Sequence, residues 1–183
     1  MSKLEQCLAG RLSTIRESGL HRILRELDSP QGTRLRFGGR EFINFSSNDY
    51  LGLANHPALK EAALKAVEQF GAGAGASRLI CGSLKPFHEL EEALADFKRT
   101  EAALSFSSGY AAAMGTITSL VGRDDVVIID KLVHASIVDA ARHAGAKLRV
   151  FRHNDLDDLE RILQWASDQT SNPKPQTANV LVI

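Results

Sequence analysis

From residue 102 to residue 183, short apolar runs alternate with helix-patterned stretches, and this alternation limits the chain to very few folds. Ala102–Phe106, Val126–Asp130, Lys147–Phe151 and Asn179–Ile183 read as buried strands. Between them lie a helix over Gly109–Leu120, one over Ala135–His143, and an amphipathic one carrying Leu156, Leu159, Ile162, Leu163 and Ala166. Asp168–Ala178 is polar and Pro-bearing and reads as a loop. Repeated strand–helix units joined by short loops predict an α/β architecture with a mostly parallel sheet and helices on both faces.

What precedes this region is patterned differently. Leu4, Leu8, Leu12 and Ile15 space a helix that the sequence extends to Leu27, with an interruption at Gly19. Thr33–Phe37 and Arg40–Phe45 flank Gly38-Gly39, a two-residue hairpin signal. Asn48 to Gly52 reads as a turn, Pro57 opens a helix that a glycine-rich run (71–76) stops, and Pro86 starts another. A division follows into an N-terminal helix, hairpin and turn over 1–55 and an α/β region over 56–183.

Composition excludes several classes. Lys+Arg and Asp+Glu both total 22, so the formal net charge is zero and gives no reason to expect nucleic acid. No apolar run approaches the ~18 residues a spanning helix needs, so no membrane is expected. The start of the chain lacks a secretory apolar core, and Cys7 and Cys81 match no metal or redox spacing. A cytoplasmic protein with reduced thiols is the expectation. The six histidines form no ligand cluster with one another or with cysteine, so no metal is expected.

Three places can carry chemistry. At Ser107-Ser108-Gly109-Tyr110 a strand-like run enters a helix through small residues. Free backbone N–H groups, hydroxyls and the positive end of the helix dipole converge there, as an anion such as phosphate requires. The same residues also suit a tight packing corner, and they lack the first Gly of a nucleophile elbow. His134 follows the strand Val126–Asp130, where an imidazole can stack on a flat ligand, shuttle a proton, or simply cap a helix. Gly71-Ala72-Gly73-Ala74-Gly75-Ala76 formally matches a dinucleotide fingerprint, but it follows a helix rather than a strand. Positive φ and close backbone approach are the better reasons for its glycines.

Five motifs in order resemble the α-oxoamine synthases, pyridoxal-phosphate enzymes of fold type I. They are Asn44–Leu53, Gly73–Arg78 with Gly82, Ser107–Tyr110, Asp130–Ser136 and Phe151–Asp155. The resemblance implies a PLP-dependent transferase fold, with 1–55 as a substrate-side segment and 56–183 as a large domain that is incomplete here. It implies that Ser108, Gly109 and Tyr110 hold the cofactor phosphate and that His134 stacks on its ring. It further implies that Arg22, Asn48, Ser77 and His134 border the substrate, in a homodimer with a cross-subunit site. An amino acid and an acyl-CoA or acyl-carrier-protein thioester are the implied substrates. Ala113 stands where the family usually carries Asn. The Schiff-base lysine the chemistry needs has no counterpart among the lysines present, so no catalytic residue is assigned within this chain. The expectation is an amino-terminal portion that ends before that lysine, at Ile183. A non-catalytic partner subunit and a dinucleotide-dependent oxidoreductase are the competing readings.

Overall fold

A computed structural model describes residues 1–170 and 179–183, with the side chains of 169 and 170 excepted. It divides into two compact units, Met1–Gly82 and Ser83–Ile183.

In the first unit, helix α1 (Lys3–Glu17) starts from a reciprocal cap. Ser2 Oγ accepts the Glu5 N–H at 3.2 Å, and the Glu5 carboxylate accepts the Ser2 N–H. The helix stops ten residues short of the expected Leu27, because Gly19 turns left-handed (φ 68°) directly after the Ser18 C-cap. The hairpin matches its expectation. Strands β1 (Arg34–Phe37) and β2 (Arg40–Ile43) pair antiparallel with Phe37 opposite Arg40. Gly38 (φ 55°) and Gly39 (φ 72°) supply the two positive φ angles of a type I′ turn. Helix α2 (Pro57–Phe70) ends at Gly71, whose φ of 82° lies outside the range other residues favour.

In the second unit, α3 (Lys85–Lys98) precedes an extended segment that was expected to be a strand. Residues 102–106 form no ladder. Glu91 of α3 takes the Ser105 N–H (2.7 Å) and hydroxyl (2.8 Å) in place of a neighbouring strand, and the Phe106 ring lies against Gly115. A Cβ at Gly115 would come within 2.7 Å of that ring.

From there the elements follow the sequence closely: α4 (Gly109–Leu120), β3 (Val126–Asp130), α5 (Ala135–Ala144), β4 (Lys147–Phe151), α6 (Leu156–Thr170) and β5 (Val180–Val182). Helix α6 takes in Asp168, so the expected loop begins later. Its remainder, 171–178, lies outside the described residues. The strands are all parallel, in the order β4-β3-β5.

Strand β3 is central and buried on both faces. Val127 and Ile129 pack with Ala113, Ile117 and Val121 of and after α4 and with Ala140 and Ala141 of α5. Val126 and Ile128 pack on the other face with Phe151 and with Ile162 and Ala166 of α6. This period-two division confirms helices on both faces. Ala113 belongs to the first cluster and is 8% exposed, so an apolar methyl suits its place.

Candidate functional site

The order β4-β3-β5 means that the chain leaves β3 toward one neighbour and leaves β4 across β3 toward the other. Accordingly α5 and α6 cover opposite faces, and the topological switch point, where open α/β sheets hold their ligands, lies at the carboxyl end of β3 on the side of β5.

Helix α4 brings its N-terminus to this end. It is about 18 Å long, close to the ~17 Å of a five-residue strand. The short 121–125 connection folds it back along β3, with Gly122 N–H on Asp125 at 2.7 Å. The amino end of α4 therefore lies toward the carboxyl end of β3. Ser108 is its N-cap, extended (φ −160°, ψ 160°), with Oγ accepting the Ala111 N–H at 3.1 Å and the carbonyl accepting the Ala112 N–H at 3.0 Å. The N–H groups of Gly109 and Tyr110 have no acceptor among the described residues, and Ser107 through Tyr110 are exposed. Two free donors, a hydroxyl and the dipole end make an open anion seat.

His134, at the same edge, caps α5. Its Nδ1 accepts the Ser136 N–H (3.2 Å) and lies 2.8 Å from Ser136 Oγ. A ring nitrogen that accepts from the backbone carries no proton, which leaves the neutral imidazole's proton on Nε2. Capping does not by itself mark a ligand-facing histidine, since His56 caps α2 in the same way through Ala58 N–H. His134 differs in its position on the sheet.

The sequence reading did not single out the cluster between these loops. The Asp130 carboxylate accepts from Leu132 N–H (2.7 Å), from Asn154 N–H (3.2 Å) and from His153 Nδ1 (3.0 and 3.1 Å). The Leu132 N–H, followed by the His153 and Asn154 donors, holds this carboxyl below its usual range against the opposing effect of burial. The detectable signal was a polar residue closing one strand, Asp130, and a polar pair, Arg152-His153, directly after the next. Asp158, next along, accepts from Arg152 N–H at 2.9 Å and from Arg161 at 2.5 Å, and the Arg152 N–H chiefly lowers its pKa.

The remaining expected residues belong to the first unit. Arg22 is exposed in the irregular segment after α1. Asn48 is exposed in a turn fixed by Asp49, whose Oδ1 accepts the N–H groups of Leu53 (2.8 Å) and Ala54 (3.1 Å). The exposed Ser77 offers its carbonyl to Ile80 N–H (3.1 Å) and Gly82 N–H (3.0 Å). Gly82 fits only without a side chain, because a Cβ there would lie 1.9 Å from the Ala76 carbonyl oxygen. The 71–76 run follows α2 and leads into turns, so the strand and helix a dinucleotide fingerprint requires are absent around it. Among the described residues no helix is long and apolar enough to cross a membrane, and no group of three or more His, Cys, Asp or Glu is gathered.

A parallel sheet with helices on both faces, an anion seat at one helix N-terminus and an imidazole at the same edge describe the class of α/β proteins that hold ligands at the carboxyl ends of their strands. Residues 40–177 match the family model for aminotransferase class I and II, and the chain belongs to that family. It is 48% identical over 159 residues to the 8-amino-7-oxononanoate synthase of Thermoanaerobacter pseudethanolicus, which covers 87% of this chain and 40% of that protein. It is 52% identical over 160 residues to the synthase of the same name from Geobacter sulfurreducens, covering 87% and 41%. Among solved structures, a lysine-to-alanine variant of serine palmitoyltransferase from S. paucimobilis with a bound PLP–myriocin aldimine aligns with a TM-score of 0.79 at 30% identity. That alignment covers 100% of this chain and 45% of that one. The chain thus spans about 40% of the length of the curated relatives it matches.

The family is pyridoxal-phosphate-dependent and the fold is that of fold type I transferases, as the five motifs led one to expect. The residues present fit the group. Gly109 and Tyr110 N–H and the Ser108 hydroxyl can donate to a phosphate, and the exposed His134 ring offers an aromatic face.

Proposed function

We propose that this chain carries the phosphate seat and the ring-facing histidine of an α-oxoamine synthase, which joins L-alanine to a pimeloyl thioester with loss of carbon dioxide to give 8-amino-7-oxononanoate, a step of biotin synthesis. The observation that carries the reading is the N-terminus of α4: a serine cap and two free N–H groups at the carboxyl end of a parallel sheet. The two curated relatives about half identical to it support the choice of substrates, as does the run Phe45-Ser46-Ser47-Asn48-Asp49-Tyr50.

Each residue has a role its chemistry allows. Gly109 and Tyr110 N–H and the α4 dipole bind the phosphate dianion. The Ser108 hydroxyl donates to the same group while its lone pair stays on Ala111 N–H. His134, fixed at Nδ1 by Ser136, lays its ring over the cofactor and keeps the Nε2 proton for the substrate side. Pyridoxal phosphate, when bound, supplies the electron sink for the carbanion at the amino-acid α-carbon. Arg22, Asn48 and Ser77 are assigned to the substrates, with the thioester carried on coenzyme A or an acyl carrier protein. The Schiff-base lysine is assigned to sequence outside these 183 residues, so the chain by itself is expected to bind without turnover. A cytoplasmic homodimer completes the proposal.

A second reading keeps the site and changes the substrates. Serine palmitoyltransferase structures are among the neighbours, so another member of the α-oxoamine synthases, of glycine C-acetyltransferase, 5-aminolevulinate synthase or serine palmitoyltransferase type, is the alternative, as is a non-catalytic partner subunit of one.

Equilibrium dialysis of the 183-residue chain against pyridoxal phosphate and, separately, NADH tests the cofactor. Uptake of pyridoxal phosphate that inorganic phosphate displaces is expected; uptake of NADH alone would end the proposal. Assays of the lysine-containing protein with alanine, glycine and serine against pimeloyl, acetyl, succinyl and palmitoyl thioesters then separate the two readings.

A further inference from the structure

Asp130 ends β3 and Phe151 ends β4, and the loops that leave them are tied together by one carboxylate. On its own loop, Asp130 accepts the Leu132 N–H at 2.7 Å, while its carbonyl accepts the Val133 N–H at 3.1 Å. Across the sheet edge it accepts from His153 Nδ1 and Asn154 N–H. Asn154 reaches that position in a left-handed conformation (φ 54°), and its Nδ2 lies 3.2 Å from His153 Nε2. The Lys131 N–H closes the other side on the Phe151 carbonyl at 3.0 Å. Every residue from Asp130 to Val133 except the exposed Lys131 and Leu132 side chains is thus held, and the next residue is His134.

We propose that Asp130 is a positioning residue: by bridging Leu132 on one loop to His153 and Asn154 on the other, its carboxylate sets the register in which His134 caps α5, and so fixes the imidazole that meets the cofactor ring. The last clause rests on the function proposed above. The positioning itself does not. An unanchored Leu132 N–H would let the 131–133 turn shift, and a shift of that turn moves the His134 Nδ1 off the Ser136 N–H.

The other end of the same strand provides the control. Asp125 makes an analogous bridge, accepting Gly122 N–H at 2.7 Å and Asn179 N–H at 2.6 Å, but at the amino end of β3, away from His134. Its removal weakens the fold without touching the loop in question.

The readout is the imidazole 15N spectrum of the histidine-labelled chain, with the His134 signals assigned by their loss in His134→Gln, together with pyridoxal phosphate affinity by dialysis. Wild type is expected to show His134 with Nδ1 unprotonated and the proton on Nε2. Asp130→Ala should replace this with a tautomer-averaged signal and weaken pyridoxal phosphate binding about tenfold. Asp125→Ala should leave the His134 signals in place. His153→Ala, at a half-exposed position, removes the side-chain part of the cross-loop tie, leaves the Leu132 and Asn154 N–H groups on Asp130, and should move the signals in the same direction by less if Asp130→Ala does not fold. An unchanged His134 spectrum in Asp130→Ala or in His153→Ala overturns the proposal. If the spectrum changes while His134→Gln binds pyridoxal phosphate like wild type, the positioning stands and the assignment of His134 to the cofactor falls.

Discussion

Replacing Ser108 separates two jobs that one hydroxyl performs. Its Oγ accepts the Ala111 N–H at 3.1 Å, which caps α4, and its proton is free for a phosphate oxygen. Ser108→Ala removes both. The position is exposed, so water reaches the orphaned N–H and the stability loss falls at the lower end of the N-cap range, about 0.5–1 kcal/mol. A hydrogen bond to a charged group contributes about 1.5–3 kcal/mol, so affinity for pyridoxal phosphate should fall about ten- to one-hundred-fold. Ser108→Asp restores the cap, because aspartate is as good an N-cap as serine and its charge suits the helix dipole. Stability should return to within about 0.5 kcal/mol of wild type. Affinity should not return, because two like charges about 4 Å apart near a protein surface repel by up to about 4 kcal/mol per pair before salt screening. Urea unfolding and equilibrium dialysis on the three proteins read the two quantities independently. A Ser108→Asp chain that binds pyridoxal phosphate as tightly as wild type would refute the placement of the phosphate at α4, whatever its stability.

Two more predictions concern the framework. Ile128 is 0% exposed between Phe151 and the Ile162–Ala166 face of α6, and Ile128→Ala should cost about 2–5 kcal/mol in urea unfolding; less than about 1 kcal/mol would mean that the α6 face is not the packed core described. Asp130 and Asp158 both titrate below the ordinary 3.8 in the folded chain, each held down chiefly by a backbone N–H (of Leu132 and Arg152 respectively). A depressed carboxyl contributes stability that is present above its unfolded value and lost as pH falls through its folded value. The urea midpoint should therefore drop as pH is lowered below 3.8, and Asp158→Asn should show a shallower drop than wild type; equal slopes would count against it.

The elements most legible in the sequence were those whose own residues carry an unbroken pattern or a defined turn. The hairpin was visible because Gly38-Gly39 sets both turn and register, and β3 because Val126–Ile129 is an unbroken run buried on both faces. Two segments were misread. Residues 20–27 have helical spacing and 102–106 a strand-like run, but neither spacing nor hydrophobicity reports whether a run continues its neighbour or finds a partner. The first is cut off from α1 by the left-handed Gly19, and the second finds the Glu91 carboxylate instead of a ladder. The site divided along the same line. Ser107-Ser108-Gly109 announces a helix N-terminus locally, and His134 stands next to its strand. Asp130 and His153 are 23 residues apart and meet only because β3 and β4 pair in parallel with Asp130 opposite Phe151, which no local pattern encodes.

The strand order also has a kinetic consequence. Val126 finds Lys147 on β4 after a short stretch of chain, but it finds Val180 on β5 only after the whole of β4 and α6. Closing the longer loop costs about 0.8 kcal/mol more by the logarithmic rule, and it must also await α6. The unit β3–α5–β4 should therefore form as a nucleus, with β5 arriving on an edge already made. Pulse-labelled exchange would show Ile129 and Arg149, whose N–H groups lie between β3 and β4, protected before Ile128 and Leu181, whose N–H groups lie between β3 and β5, and simultaneous protection would argue against this order. The tie between Asp130 and His153 lies wholly inside that nucleus, so the loop bearing His134 would take its shape before the sheet is complete.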